Sequence, residues 1–155
     1  MTRHIVTAAL AGLLATASAA VAHITPPVIL ASDRDAVVGL LGSARRYFVR
    51  EVRLTSQQEA AIVRNSGWTP DADFYRFYVG RDAQGRLMGA VIFVTEYTVH
   101  GPVRVAVSIG PDGTIAGAQV VELTEETYAW LKPLIDREFT RAYIGRGGQA
   151  GFGLT

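Results

Sequence analysis

An α+β domain, an antiparallel β-sheet with short helices packed against it, is what this sequence predicts, and three observations lead there. Between 73 and 123, aromatic, β-branched and other apolar residues fill runs broken by Asp82-Ala83-Gln84-Gly85, Gly101-Pro102 and Gly110-Pro111-Asp112-Gly113. That is the pattern of strands joined by tight turns. Beyond Thr124 the apolar residues Tyr128, Leu131, Ile135 and Phe139 shift to helical spacing. Upstream, two short capped helices flank one strand-like run, so the whole order reads α-β-α-β-β-β-β-α, with consecutive strands that suit an antiparallel sheet.

The first 22 residues read as a leader. Arg3 precedes an apolar stretch from Ile5 to Leu14, and Ala20-Val21-Ala22 is a small-residue cleavage site, the order of features in a secretory signal peptide. The stretch is shorter and richer in alanine than a membrane span, which needs about 20 strongly apolar residues. The expected product is therefore an exported, periplasmic chain beginning at His23, with an uncleaved membrane anchor as the other outcome. Residues 23–31 form an extended lead-in, because Pro26-Pro27 disfavours helix. Ser32 then caps a short helix with Asp33 and Asp35 in its first turn and Gly42 at its end.

Residues 45–54 predict a strand. Thr55 and Gln58 have the spacing of a capping box opening a helix that Asn65-Ser66-Gly67 stops. Residues 73–80 are an aromatic strand, and 86–99 a long one with a bend or bulge expected near Gly89. Gly101-Pro102 is expected to interrupt the sheet. In 103–109, Val103, Val105, Val107 and Ile109 alternate with Arg104, Ala106 and Ser108, which predicts a half-buried strand. Residues 114–123 return. Pro133 predicts a break between two helices, at 125–132 and 133–142. The organisation expected is a leader at 1–22, the lead-in at 23–31, one domain at 32–146 and a Gly-rich tail at 147–155.

Composition excludes several functions. There are no cysteines among the 155 residues, hence no disulfide, thiolate metal site or lipid-anchoring cysteine. Without Arg3 the acidic and basic residues balance at 14 each, so no basic stripe points to nucleic acid. His23 and His100 have no metal-ligand spacing, so no metal is expected. There is no G-x-S-x-G elbow, no Walker loop and no G-x-G-x-x-G after a strand.

Three segments carry positive signals. In Val99-His100-Gly101-Pro102-Val103 an imidazole sits at a chain reversal, able to hydrogen-bond or stack; its plain reading is an exposed loop residue. In Glu122-Leu123-Thr124-Glu125-Glu126-Thr127-Tyr128 acids and hydroxyls meet the start of a helix; its plain reading is a capped helix. Phe139 and Tyr143 would share one helix face; their plain reading is core.

In this order the segments resemble the FMN-binding domain family, which includes the flavin-carrying subunits of Rnf and sodium-translocating quinone-reductase complexes and exported single-domain relatives. The family's turn G-K-H-x-P-[IL] is matched by Thr98-Val99-His100-Gly101-Pro102-Val103, and its D-G-x-[VI] hairpin by Asp112-Gly113-Thr114-Ile115. Its E-[ST] junction is matched by Glu126-Thr127, and its F-x-x-[QR]-[FY]-x-G run by Phe139-Thr140-Arg141-Ala142-Tyr143-Ile144-Gly145. Trp68 and the aromatic strand from Phe74 to Val79 also look like the exported members. The resemblance spans about residues 30 to 146. Two departures stand out: Thr98-Val99 replaces Gly-Lys, and the C-terminal S-G-A-T segment, whose Thr is esterified to the flavin phosphate in many members, has no counterpart.

The resemblance implies an exported FMN carrier passing electrons between a membrane-bound reductase and an acceptor such as a cytochrome, an electron-transfer flavoprotein rather than a self-contained enzyme. It implies that His100, Gly101 and Pro102 meet the polar edge of the flavin ring. Tyr128 would flank the ring, and Glu125, Glu126 and Thr127 would bring helix N–H groups to it. No side chain is expected to do acid–base catalysis. Without S-G-A-T, FMN is expected to be held non-covalently and weakly, or the tail to be a truncated end. The competing expectation is a non-redox exported binding or inhibitory module of PepSY-like or cystatin-like type.

Overall fold

A computed structural model describes residues 26–147; the expected leader and the Gly-rich tail from Gly148 onward lie outside them. The described residues form one six-stranded sheet, antiparallel at every pairing, in the order β1-β6-β5-β4-β3-β2. The strands are β1 (Pro27–Ile29), β2 (Arg46–Val52), β3 (Tyr75–Arg81), β4 (Leu87–Thr98), β5 (Gly101–Ile109) and β6 (Ile115–Thr124). The helices are α1 (Asp33–Leu40), α2 (Ser56–Ser66) and α3 (Glu125–Asp136), with a 3-10 turn at Phe139–Tyr143. The predicted α+β class is the observed one. Among the described residues no helix is long and apolar enough to cross a membrane.

Local chemistry sets most boundaries. The Ser32 hydroxyl accepts the Asp35 N–H at 3.1 Å and opens α1. Thr55 and Gln58 form the full capping box, and Gly67 closes α2 at φ 72°. Asp112 Oδ1 accepts from the Thr114 N–H and hydroxyl, and Gly113 supplies the positive φ that turns β5 into β6. The expected irregularity at Gly89 is present: Gly80 pairs Gly89 but Arg81 pairs Leu87, so Met88 is the extra residue of a bulge.

Four expectations are corrected. The lead-in contains a strand, β1, whose Pro27 lies opposite Thr124. Gly101-Pro102 does not interrupt the sheet; it begins β5, leaving Val99-His100 as the loop between Thr98 and Gly101. The helix does not break at Pro133, because α3 continues to Asp136. A proline near the C-terminal end forfeits a single hydrogen bond, and the apolar face keeps the helix together. Phe139 and Tyr143 accordingly lie on a 3-10 turn rather than on one α-helical face.

The fourth correction places the core. Strand β5 is covered on both faces: Ala106 and Ser108 are fully buried on the α1 face, Val103 is buried on the other, and Val105 and Val107 are half-buried. The small residues on that face make room for α1. A Cβ on Gly80 would lie 2.9 Å from Ala44 Cβ, and one on Gly117 would lie 2.9 Å from Leu40 Cδ2. Helix α1 thus drops Leu40 and Leu41 onto a floor of glycine and alanine, burying Val37, Val91, Ala106 and Val121. On the other face α3 covers Val103, Val120 and Leu123 with Tyr128, Leu131 and Ile135. Every residue of β2 stays exposed, and α2 has no buried residue.

Candidate functional site

Two sequence segments far apart in the chain meet at one corner. The Thr127 hydroxyl donates to the His100 carbonyl at 2.7 Å, and Thr124 Oγ1 lies 3.2 Å from the same carbonyl. Thr124 also caps α3 by accepting the Thr127 N–H at 3.3 Å. Thr98 closes the loop from the other side, accepting the His100 N–H and donating to the Gly101 carbonyl. Gly101 stands at φ 120°, where a Cβ would strike Thr124 Oγ1 at 2.9 Å; only glycine fits this approach. The His100 ring stacks on Trp130 at 4.9 Å and 11°, with Nδ1 3.6 Å from Glu126.

The predicted site residues therefore divide. His100, Gly101, Glu126 and Thr127 come together at the corner. Glu125 is exposed in the first turn of α3, and Tyr128 packs against the apolar cluster beneath the helix. The Thr127 N–H is already taken by Thr124. Pro102 faces the opposite side of the sheet, where it shares a cavity of about 310 Å³ with Thr95, Tyr97, Arg104 and Glu122.

That cavity shares Thr95 and Arg104 with a larger groove of about 700 Å³. The groove exists because β3 and β4 part company. Their pairing ends at Phe77–Ile92, yet β4 runs on to Thr98. The gap is walled by Trp68, Phe74, Tyr75, Tyr78 and Phe93. Trp68 meets Tyr75 edge-on at 5.9 Å, and Tyr78 meets Phe93 the same way at 5.6 Å. The Tyr75 hydroxyl oxygen is buried with no hydrogen-bond partner among the described residues. Leaving such a group unmatched costs about 1–3 kcal/mol.

Two arginines border the groove, each held by a carboxylate. Arg104 forks onto both oxygens of Asp33 and lies over the Phe93 ring at 4.4 Å. Arg76 binds Glu51 at 2.8 Å. The hydrogen bond from Arg104 holds the Asp33 carboxyl below its ordinary range against the opposing effect of burial. Among the described residues there is no cluster of groups that could hold a metal ion.

The groove was not legible as a site. Trp68 and the run Phe74-Tyr75-Arg76-Phe77-Tyr78 were visible, and their signal was an excess: four aromatics in five residues supply more ring surface than the two faces of one strand bury. Comparison with known protein families, with curated proteins and with solved structures gives no match.

Proposed function

We propose that the chain is an exported FMN-binding domain that carries electrons between a membrane-bound reductase and an acceptor such as a cytochrome, holding the flavin without a covalent bond. The observation that carries this reading is the aromatic groove with its unmatched Tyr75 hydroxyl. A groove of this size, apolar with a few polar groups, suits a flat aromatic ligand. Trp68 and Phe74 would give the walls, and the Tyr75 hydroxyl, buried beneath the groove lining, would donate to a polar edge of the ring once the entering ligand opens that lining. When bound, FMN supplies the redox chemistry. In this reading His100, Gly101 and Thr127 are positioning residues: they fix the tip of the β4–β5 hairpin, whose stem forms one wall. With Arg76 and Arg104 both paired, a phosphate recruits either of them only by competing with Glu51 or Asp33, which leaves Arg53, over the Phe74 ring at 5.7 Å, as the cation nearest the groove without a carboxylate partner among the ion pairs of the described residues.

A non-redox binding module of PepSY-like or cystatin-like type is the second reading. It is favoured by the His100 ring, which already has Trp130 on its face and Glu126 beside its Nδ1. One titration separates the two. The purified protein should bind FMN, and Tyr75→Phe should weaken binding about tenfold, the worth of one hydrogen bond. The same substitution should leave the unliganded stability unchanged or slightly higher, since it removes a buried hydroxyl that has no partner. Absence of flavin binding at about millimolar FMN would favour the second reading.

A further inference from the structure

We propose that β2 is a homodimerisation edge: two copies of this chain join their sheets through β2 run antiparallel to itself, with Val49 facing Val49 across the two-fold axis. The two edges of the sheet differ sharply. At one, β1 has three residues and begins with Pro27, the short, proline-bearing form that discourages pairing. At the other, β2 has seven residues, Arg46-Tyr47-Phe48-Val49-Arg50-Glu51-Val52, every one exposed and none a proline or lysine. Tyr47, Phe48, Val49 and Val52 are 41%, 43%, 54% and 39% exposed. A seven-residue edge without proline, carrying four exposed apolar or aromatic residues, is long enough to template another strand, and its three charges limit the registers it accepts.

The charges of β2 admit a second copy as the occupant, and among the registers that overlap the strand they favour one. In a sheet continued by a two-fold axis, opposed residues must point to the same face, so the pairing is centred on a residue. Tyr47, Val49 and Glu51 share the α1 face, since Tyr47 pairs with Gly80, whose missing Cβ points at Leu41 and Ala44. Arg46, Phe48, Arg50 and Val52 share the other. Centring on Phe48 opposes Arg46 with Arg50 twice, and centring on Arg50 opposes that arginine with itself. Like charges directly opposed destabilise a sheet. Centring on Val49 opposes no like charges, sets Phe48 against Arg50 and Tyr47 against Glu51, and overlaps all seven residues. Cation–aromatic pairs then flank a valine pair on the axis, and Tyr47 lies beside Glu51, whose carboxylate Arg76 already holds.

The chain has no cysteine, which makes the register directly testable. Facing residues in an antiparallel pair have Cα atoms about 4.5–5.5 Å apart, within the reach of a disulfide. The full chain carrying Val49→Cys should form a disulfide-linked dimer under mild oxidation, faster than Phe48→Cys or Arg50→Cys. By sedimentation the unmodified chain should dimerise at about micromolar to tens of micromolar concentration. Val49→Lys should weaken that dimer at least about tenfold with the circular dichroism spectrum unchanged. A chain that stays monomeric at about 100 μM, or faster cross-linking through position 48 or 50, would overturn the proposal.

Discussion

Removing the Thr124 and Thr127 hydroxyls, singly and together, tests whether the two threonines act as one clasp on the β4–β5 loop. Each hydroxyl has one proton. Thr127 gives its proton to the His100 carbonyl at 2.7 Å, while Thr124 Oγ1 stands 3.2 Å from that carbonyl and 2.9 Å from Thr127 Oγ1. Thr127→Val keeps the shape and deletes the shorter bond, but Thr124 can turn its proton to the vacated carbonyl. The net loss should be about 1 kcal/mol. Thr124→Val deletes the cap on α3 and leaves the Thr127 bond intact, again about 1 kcal/mol. In the double variant nothing reaches the carbonyl, and an unmatched acceptor adds its own penalty of about 1 kcal/mol or more. The expected total is about 3 kcal/mol against about 2 from the singles added, an excess of about 1 kcal/mol. Urea unfolding of the four proteins measures it. Additivity to within about 0.3 kcal/mol would refute the shared clasp, since independent sites add.

Other outcomes follow from the same geometry. Pro133 is exposed inside α3, so Pro133→Ala should stabilise the protein by about 1–2 kcal/mol by restoring a helix hydrogen bond and relieving the ring clash; a lower denaturation midpoint would contradict the continuous helix. Gly80→Ala should cost more than Gly117→Ala, about 2–3 against about 1 kcal/mol. The new methyl meets Ala44 Cβ in the first case and the swinging end of Leu40 in the second, and a reversed order in urea titrations would count against the small-residue floor. Asp33 has its folded carboxyl held below the ordinary range by Arg104, so its contribution is present above the unfolded value of about 4 and fades as acid protonates the folded group. Stability of the parent and of Asp33→Asn should therefore differ near pH 7, and the gap should narrow as the pH falls below about 4; a constant gap would show that the carboxylate charge is not the cause.

What could be read in advance was what neighbours in the chain decide. Thr55 and Gln58 are three residues apart and settle their capping box between themselves; Asp112 and Gly113 do the same for their turn. What escaped was decided by partners far away. Strand β1 has only three residues, and it is a strand because β6 offers it an edge about a hundred residues later. The pattern of β5 predicts one buried face, and that reading fails because Gly80, Gly89 and Gly117, on three other strands, admit α1 to the second face. At the site, the corner was legible because His100 and Thr127 are unusual residues at unusual positions. The groove was not, because it is a gap, made where β3 stops pairing and β4 continues.

This division of the sheet bears on where function resides. The buried apolar side chains of the strands, Val91, Val103, Ala106, Val120, Val121 and Leu123, all belong to β4, β5 and β6, the part clamped between α1 and α3. Strand β2 and helix α2 contain no buried residue, and so little apolar burial resists their local opening. The clamped half can hold a fixed wall; the uncovered half can adapt to what it meets. The groove lies where the two halves meet, with Phe93 and Arg104 from the rigid side and Trp68 and Phe74 from the adaptable one. The exposed edge of β2 bounds the same adaptable half. Pairing β2 with a second copy would bury the edge that the fold leaves bare and would brace the strand from which one side of the groove hangs. Any ligand taken into the groove and self-association through β2 should then strengthen each other, because each orders residues that the other also needs ordered; a sedimentation dimer constant that does not change when the groove is filled would refute the coupling.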